Sequence, residues 1–203
     1  MRLSFFVSIV VTNNMMRARV MIQIRSATVA DAAAIRAIYN QGIVERAATF
    51  ETAPRLVPDI VQRLGDIERF PLLVATTAAG DVLGWAGLSN YRPRDCYAGI
   101  GEFSVYLAAD ARGQRIGCQL LQSSIDHARE RGYWKLLSRI FLFNAASRAL
   151  CRSVGFREVG VSEKHGQLEG RWLDVVIVER LIPENLSAHQ PAAEALSPSK
   201  EYA

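Results

Sequence analysis

Hydrophobic and polar residues alternate in several short stretches of the chain, and in others the hydrophobic residues recur every three to four positions. The alternation in IQIRSA, residues 22–27, predicts a strand. Ile35, Ile38 and Ile43 then share one face of a predicted helix over residues 30–46. The proline-containing segment 49–58 predicts a loop, and residues 59–68 predict a second helix.

The rest of the pattern predicts strands before and after a central strand-turn-helix unit. Further strands are predicted at 72–77, 82–89, 100–107, 135–142, 156–162 and 172–181. Helices are predicted at 117–131 and 144–153, with Asn144 as a possible N-cap and with Gly132 and Gly155 just beyond the two helix ends. The order β, α, α, β, β, β, α, β, α, β, β predicts an α/β (α+β) fold with a mixed central sheet flanked by helices.

Composition favours one soluble globular domain. The chain has 203 residues, half of them hydrophobic, which is enough for a substantial core. The net charge of +4 suits an anionic ligand, but the arginines are scattered and form no basic stripe, so no nucleic-acid partner is expected. Cys96, Cys118 and Cys151 lack the spacing of a disulfide framework or a metal site, which favours a reducing cytoplasm and no metal.

The two ends of the sequence differ from the middle. The apolar run near the start, MRLSFFVSIVV, resembles a signal peptide, but it is too short to span a bilayer and no small-residue cleavage site follows it. An early start assignment is the other interpretation. We therefore expect an extension at 1–20, one domain at 21–183, a flexible tail at 184–203 rich in Ala, Ser and Pro, and no membrane association.

The turn ARGQRIG, residues 111–117, carries two arginines and two glycines between a predicted strand and a predicted helix. Free backbone N–H groups at a helix start attract anions, so this turn is a candidate anion-binding loop. It matches neither the Walker A nor the Rossmann glycine pattern. A surface turn with solvated arginines is the alternative that the residues alone leave open.

The turn and the later NAASRALCRSVGF segment, residues 144–156, together resemble the GCN5-related N-acetyltransferase (GNAT) superfamily, and the resemblance extends over residues 22–181. It implies that acetyl-CoA is the acetyl donor and that the turn binds its pyrophosphate. Two residues depart from the family pattern, because Arg115 stands at a usual glycine and Ser147 at a usual alanine. The implied coenzyme-binding residues are Val105, Tyr106, Leu107, Arg112, Gly113, Gln114, Arg115, Ile116, Gly117, Asn144 and Ser147.

Within that superfamily the chain is most similar to the phosphinothricin acetyltransferases and their arsinothricin-resistance relatives. The similarity lies in residues 48–54, 89–107, 144–156 and 163–182. It implies a homodimer, and it implies that Phe50, Arg92, Arg94 and Tyr97 bind the substrate. Arginines two positions apart in an extended segment can hold a carboxylate, phosphinate or arsinate between them, although a solvated loop is the alternative.

Acetylation of an amine requires a base, because most amines are protonated at neutral pH. Glu102 matches the catalytic glutamate of the family, and strand alternation places it on one face with Ser104 and Tyr106. The resemblance also implies a bulge near residues 105–107, which would free a backbone N–H to polarise the thioester carbonyl. Cys151 stands where relatives carry a tyrosine or histidine, so it is a candidate proton donor, with a small buried helix residue as the alternative.

The expected function is therefore acetylation of the α-amino group of phosphinothricin or arsinothricin, which would give resistance to these compounds. One alternative is another small amino acid, such as methionine sulfoximine or methionine sulfone. A second alternative is a non-catalytic module that binds acetyl-CoA.

Overall fold

A computed structural model describes residues 22–187, which form a seven-stranded mixed sheet with helices on both faces. The strands are β1 (Ile22–Ser26), β2 (Leu72–Thr77), β3 (Val82–Asn90), β4 (Ile100–Leu107), β5 (Lys135–Phe141), β6 (Arg157–Leu168) and β7 (Arg171–Leu181). The helices are α1 (Ala32–Glu45), α2 (Val57–Leu64), α3 (Ile116–Glu130) and α4 (Ala145–Ser153). The order of strands in the sheet is β1-β2-β3-β4-β5-β7-β6.

The sheet opens between β4 and β5, the only neighbouring strands of the described sheet that run parallel. Their pairing ends at Glu102 and Leu137, although both strands continue. Beyond that point β4 stays paired with β3, and β5 stays paired with β7 as far as Phe141. We call this opening the fork.

Two layers of apolar side chains cover the sheet. Strand alternation sends Val74 and Trp85 to the face that α1 and α2 cover, where Ile35 and Ile60 pack against them. The opposite face carries Leu88 and Phe103, which pack against α3. Because each strand around the fork is held on both faces, the strand positions that line the opening are fixed by a packed core.

The predicted order of elements is confirmed, and two elements, α2 and β6, differ from their predicted bounds by more than two residues at one end. Helix α2 begins at Val57, because the Asp59 carboxylate accepts the Leu56 N–H at 2.8 Å, and it ends before Gly65. Strand β6 continues six residues beyond the predicted end at 162, as far as Leu168. Most of its residues are exposed, so hydrophobic alternation could not mark its length.

Residues 1–20 and 188–203 lie outside the described part of the chain, and so does most of the predicted tail. The first residues of that tail are described. Asn185 donates hydrogen bonds of 2.8 Å to the carbonyls of Arg129 and Tyr133, so the ordered contacts extend past residue 183. None of the helices within residues 22–187 has the length and apolar character needed to cross a membrane.

Candidate active site

The fork contains a cavity of about 500 Å³. Residues from β4 and β5 form its two walls, and α4 closes one end. The segment 48–51 and His165 of β6 border the remaining side. The polar side chains that line it are those of Tyr39, Thr49, Glu51, Glu102, Ser104, Tyr106, Ser138, Arg139, Asn144, Ser147 and His165.

Glu102 lies at the last paired position of β4, where the fork opens. Its carboxylate Oε1 accepts a hydrogen bond of 2.6 Å from Nη1 of Arg139. Phe103, the next residue, is buried on the opposite face against α3. The alternation predicted from the sequence therefore holds, and it presents Glu102 to the cavity together with Ser104 and Tyr106.

Arg139 is a site residue that the sequence did not reveal. It lies on β5 two residues beyond Leu137, the partner of Glu102, so its side chain bridges the point where the strands separate. The side chains of Arg139 and Glu102 are 32% and 26% exposed, so both remain accessible from the cavity. An arginine inside the strand sequence KLLSRIF, which also carries Lys135 and Ser138, is the only signal that could have indicated this position.

The edge of β4 that faces the fork has free backbone donors. The Ala108 N–H donates to the Leu83 carbonyl of β3 at 3.0 Å. Because N–H groups alternate in direction along a strand, those of Val105 and Leu107 point away from β3 and toward the fork. Pairing between β3 and β4 continues without a register shift. The prediction of a bulge at residues 105–107 is therefore wrong. The separation of β5 from β4 leaves these N–H groups free instead.

The turn before α3 directs backbone N–H groups outward. Gly113 and Arg115 both adopt left-handed backbone conformations, with φ of +74° and +62°. The Gln114 side chain closes the turn by donating to the Asp110 carbonyl at 2.8 Å. Helix α3 begins at Ile116, so the N–H groups of its first turn have no partner within the helix. The turn has the form of an anion-binding loop.

The two arginines of this turn have different surroundings. Arg112 donates to both carboxylate oxygens of Glu45, at 3.0 and 2.9 Å, and its Nε donates to the Leu107 carbonyl. Its charge is therefore neutralised by α1. Arg115 is exposed and makes no side-chain hydrogen bond or ion pair to any residue in the range 22–187. Of the two predicted coenzyme-binding cations, only Arg115 has a free charge.

Asn144 caps α4, as the sequence predicted. Its Oδ1 accepts the Ser147 N–H at 3.0 Å, and its Nδ2 donates to the Ala47 carbonyl at 2.9 Å. The second bond ties the start of α4 to the segment that borders the cavity. Asn144 and Ser147 both line the cavity, so this cap fixes one end of it.

Cys151 of α4 lines the cavity but is only 2% exposed, because it packs in the core with residues of α3 and of the sheet. Burial raises the pKa of its thiol to about 12. A free thiol has a pKa of about 8.5, so a proton transfer from Cys151 to a departing thiolate would be unfavourable. Burial and the raised pKa of the thiol therefore favour the packing role of Cys151 over its predicted role as the proton donor.

Phe50 forms part of the cavity wall. Its ring packs edge-on against Phe141 of β5, with centroids 4.7 Å apart. A methyl group at Gly166 would lie 3.0 Å from the Phe50 ring, so only glycine leaves room for this packing without a shift. The predicted substrate-binding Phe50 is thus brought to the site and held there by β5 and β6.

The other predicted substrate-binding residues lie elsewhere. Arg92 and Arg94 are exposed in the loop between β3 and β4, and neither lines the cavity. Arg92 lies over the Tyr91 ring at 5.3 Å, and Tyr97 packs edge-on against the same ring. Their role in substrate binding stays a prediction.

Metal ligands do not cluster in the part of the chain that the structure describes. Within residues 22–187 no three His, Cys, Asp or Glu side chains are grouped closely enough to hold a metal ion.

Comparison with known proteins identifies the family. Residues 24–177 match the acetyltransferase (GNAT) domain model. The chain is 38% identical over 170 residues to an L-methionine sulfoximine/L-methionine sulfone acetyltransferase of Pseudomonas aeruginosa, covering 81% of this chain and 97% of the relative. The chain therefore belongs to the GNAT acetyltransferase family.

Solved structures confirm the fold. A phosphinothricin acetyltransferase from Sinorhizobium meliloti in complex with acetyl-CoA has a TM-score of 0.78 at 31% identity, covering 85% of this chain and 94% of that one. A ribosomal-protein-alanine N-acetyltransferase from Brucella melitensis has a TM-score of 0.76 at 40% identity, covering 79% and 99%. This chain is an acetyl-CoA-dependent N-acetyltransferase of the phosphinothricin and methionine sulfoximine acetyltransferase type.

Proposed function

We propose that the substrate is a small glutamate-like α-amino acid whose side chain ends in a tetrahedral polar group. Methionine sulfoximine, methionine sulfone, phosphinothricin and arsinothricin share this chemistry. Acetylation of their α-amino groups would give resistance to the toxic members of the set. The observation that carries the proposal is the small cavity at the fork, with Glu102 at its base and the free edge of β4 beside it.

The residues of the cavity suit the acceptor half of the reaction. Oε1 of Glu102 is bonded to Arg139, and Oε2 makes no hydrogen bond to any described residue, so Oε2 is available to take a proton from the substrate amine. The N–H groups of Val105 and Leu107 can donate to a carbonyl oxygen that gains negative charge during acyl transfer. The proposed base and the proposed carbonyl donors therefore lie on the same strand, β4.

Acetyl-CoA supplies an acetyl group on a thioester, which is activated for transfer to an amine. The turn at 112–117 and the start of α3 suit its pyrophosphate, because left-handed residues lead into a helix whose first N–H groups have no partner within the helix. Arg115 adds the one free cation of that turn. Its departure from glycine therefore fits coenzyme binding.

A panel of acceptor substrates tests this proposal. Purified protein and acetyl-CoA would be mixed with each of the four proposed substrates, with glutamate, with methionine, or with a peptide that begins with alanine, and thiol release would be followed. We expect kcat/KM for at least one tetrahedral substrate to exceed that for glutamate and for the peptide by about tenfold or more. Preference for the peptide would contradict the proposal and would indicate a protein acceptor.

The assembly and location of the enzyme belong to the same proposal. We expect a homodimer in the cytoplasm, which the resemblance to phosphinothricin acetyltransferases and the cysteine usage suggested. Light scattering of the purified protein measures the mass directly. A mass near 22.5 kDa, that of one chain, would contradict the dimer.

A further inference from the structure

Arg139 is the one lysine or arginine among the described residues that line the cavity. Only its Nη1 makes a hydrogen bond within residues 22–187, and that bond goes to Glu102. The Nε and Nη2 groups have no partner among those residues, although the side chain is about one-third exposed. A planar guanidinium can hold two carboxylates at once, so its second edge is available to a ligand.

The Glu102–Arg139 pair has the charge pattern that complements a free α-amino acid. In such a molecule the ammonium and the carboxylate are attached to the same carbon. The pair presents a carboxylate and a guanidinium whose nearest atoms are 2.6 Å apart, in the wall of a cavity large enough for a small amino acid. An ammonium placed at Oε2 of Glu102 would therefore leave the carboxylate of the same molecule next to Arg139.

We propose that Arg139 binds the α-carboxylate of the acceptor substrate and thereby positions its α-amino group at Glu102. This inference rests on the proposed function, and it assigns to β5 the anion-binding role that the sequence assigned to Arg92 and Arg94. Those two arginines lie on an exposed loop outside the cavity. Arg139 is held at the fork by the pairing of β5 with β7 at Ile177.

A carboxylate bound to Arg139 would make the enzyme selective for free amino acids. A free amino acid gains a charge-assisted pair with Arg139, whereas its α-carboxamide has no negative charge at that position. A peptide N-terminus has an amide there too. The enzyme should therefore prefer free α-amino acids to their amides, and Arg139 should be the source of that preference.

The test compares the best amino acid from the substrate panel with its α-carboxamide, in the wild type, Arg139→Gln and Arg139→Lys. For Arg139→Gln we expect the ratio of kcat/KM for the free acid to kcat/KM for the amide to fall about 10- to 100-fold, mainly through KM for the acid, whereas the loss of the hydrogen bond to Glu102 lowers kcat for both substrates alike. The lysine variant should recover part of the preference for the acid. If the role of Arg139 were purely structural, kcat/KM would instead fall by the same factor for both substrates.

Arg129→Ala is the matched control, because Arg129 is an exposed α3 residue paired with Asp126, outside the cavity. Arg129→Ala should leave unchanged the ratio of kcat/KM for the acid to kcat/KM for the amide. If Arg139→Gln keeps that ratio, or if only Arg92→Ala or Arg94→Ala abolishes it, this inference is overturned while the proposed function stands. If the wild type acetylates no amino acid but binds acetyl-CoA in calorimetry, the proposed function fails as well.

Discussion

At position 115 the backbone is left-handed, with φ of +62°, and an arginine occupies a position that suits glycine. The sequence showed the arginine but not its conformation, which depends on the tight entry of the chain into α3. This conformation is sterically unfavourable for a residue with a Cβ, whereas Gly113 adopts it without that cost. Arg115 therefore combines a strained backbone with a free cation, and the two effects can be separated by substitution.

Arg115→Gly and Arg115→Ala remove the same charge, but only the glycine variant removes the strain. We expect Arg115→Gly to be more stable than Arg115→Ala by about 0.5–1 kcal/mol in urea unfolding. Both variants should bind acetyl-CoA about three- to tenfold more weakly than the wild type, with a smaller dependence on salt. Equal stability of the two variants would contradict backbone strain at position 115. Unchanged acetyl-CoA affinity would contradict a role of the Arg115 charge in binding.

Cys151 provides a second prediction about a single residue. Because its thiol is buried with a pKa raised to about 12, Cys151→Ala should retain kcat within about threefold. The lost sulfur leaves a small void in the core, so we expect a loss of about 1 kcal/mol in unfolding free energy. A fall in kcat of a hundredfold or more, in a variant that still binds acetyl-CoA, would restore the proton-donor role.

At the level of elements, the sequence predicted those that carry a strong hydrophobic period and missed the limits of those that do not. Strands β2 and β4 have the predicted bounds, because β2 is buried at five of its six positions and β4 begins with alternate buried residues. Strand β6 is mostly exposed, so only its pairing with β7 defines where it ends. The start of α2 depends on one side-chain contact, from Asp59 to the Leu56 N–H.

The start of α1 shows how a local contact stabilises an element. Asp31 is buried, and its carboxylate accepts hydrogen bonds of 2.7 and 2.8 Å from Arg25 of β1. It also accepts the N–H and the hydroxyl of Thr28, at 2.8 and 3.0 Å. The hydrogen bonds from Arg25, assisted by those from Thr28, lower the pKa of this carboxyl to about 2, against the opposing effect of burial.

Asp31→Asn should therefore destabilise the protein at neutral pH, by about 1–2 kcal/mol after allowance for the partial exposure of Arg25. A lowered pKa means that the contribution is complete above the unfolded-state value of 3.8 and is lost as the pH falls through about 2. The difference in unfolding free energy between wild type and variant, measured by urea unfolding from pH 7 to pH 2, should decrease as the pH falls. A difference that does not depend on pH would contradict the role of the Asp31 carboxylate.

At the scale of the whole molecule, the fork in the sheet forms the cavity that carries the candidate site. The sequence indicated Glu102 and the turn before α3 as candidates, because each lies in a local pattern that resembles a family motif. It could not predict that Arg139 meets Glu102, since the two residues are 37 positions apart and come together only through the short parallel pairing of β4 and β5. For the same reason it could not place Arg92 and Arg94 outside the cavity.

The fork also explains how one strand serves both reactants. Up to Glu102, β4 is paired on both sides, and beyond that residue it keeps β3 as a neighbour and loses β5. Glu102, the proposed base, thus lies at the end of the paired region, and the free N–H groups follow it on the same strand. We propose that Glu102, at this position, takes the proton from the amine.

The most direct test is the turnover number of Glu102→Gln with the best substrate of the panel, measured together with acetyl-CoA affinity by calorimetry. We predict a fall in kcat of about 10²- to 10⁴-fold at neutral pH, with acetyl-CoA affinity unchanged. Raising the pH should recover part of the rate, because more of the amine is then unprotonated. A variant that keeps the wild-type kcat at neutral pH would contradict the assignment of Glu102 as the base.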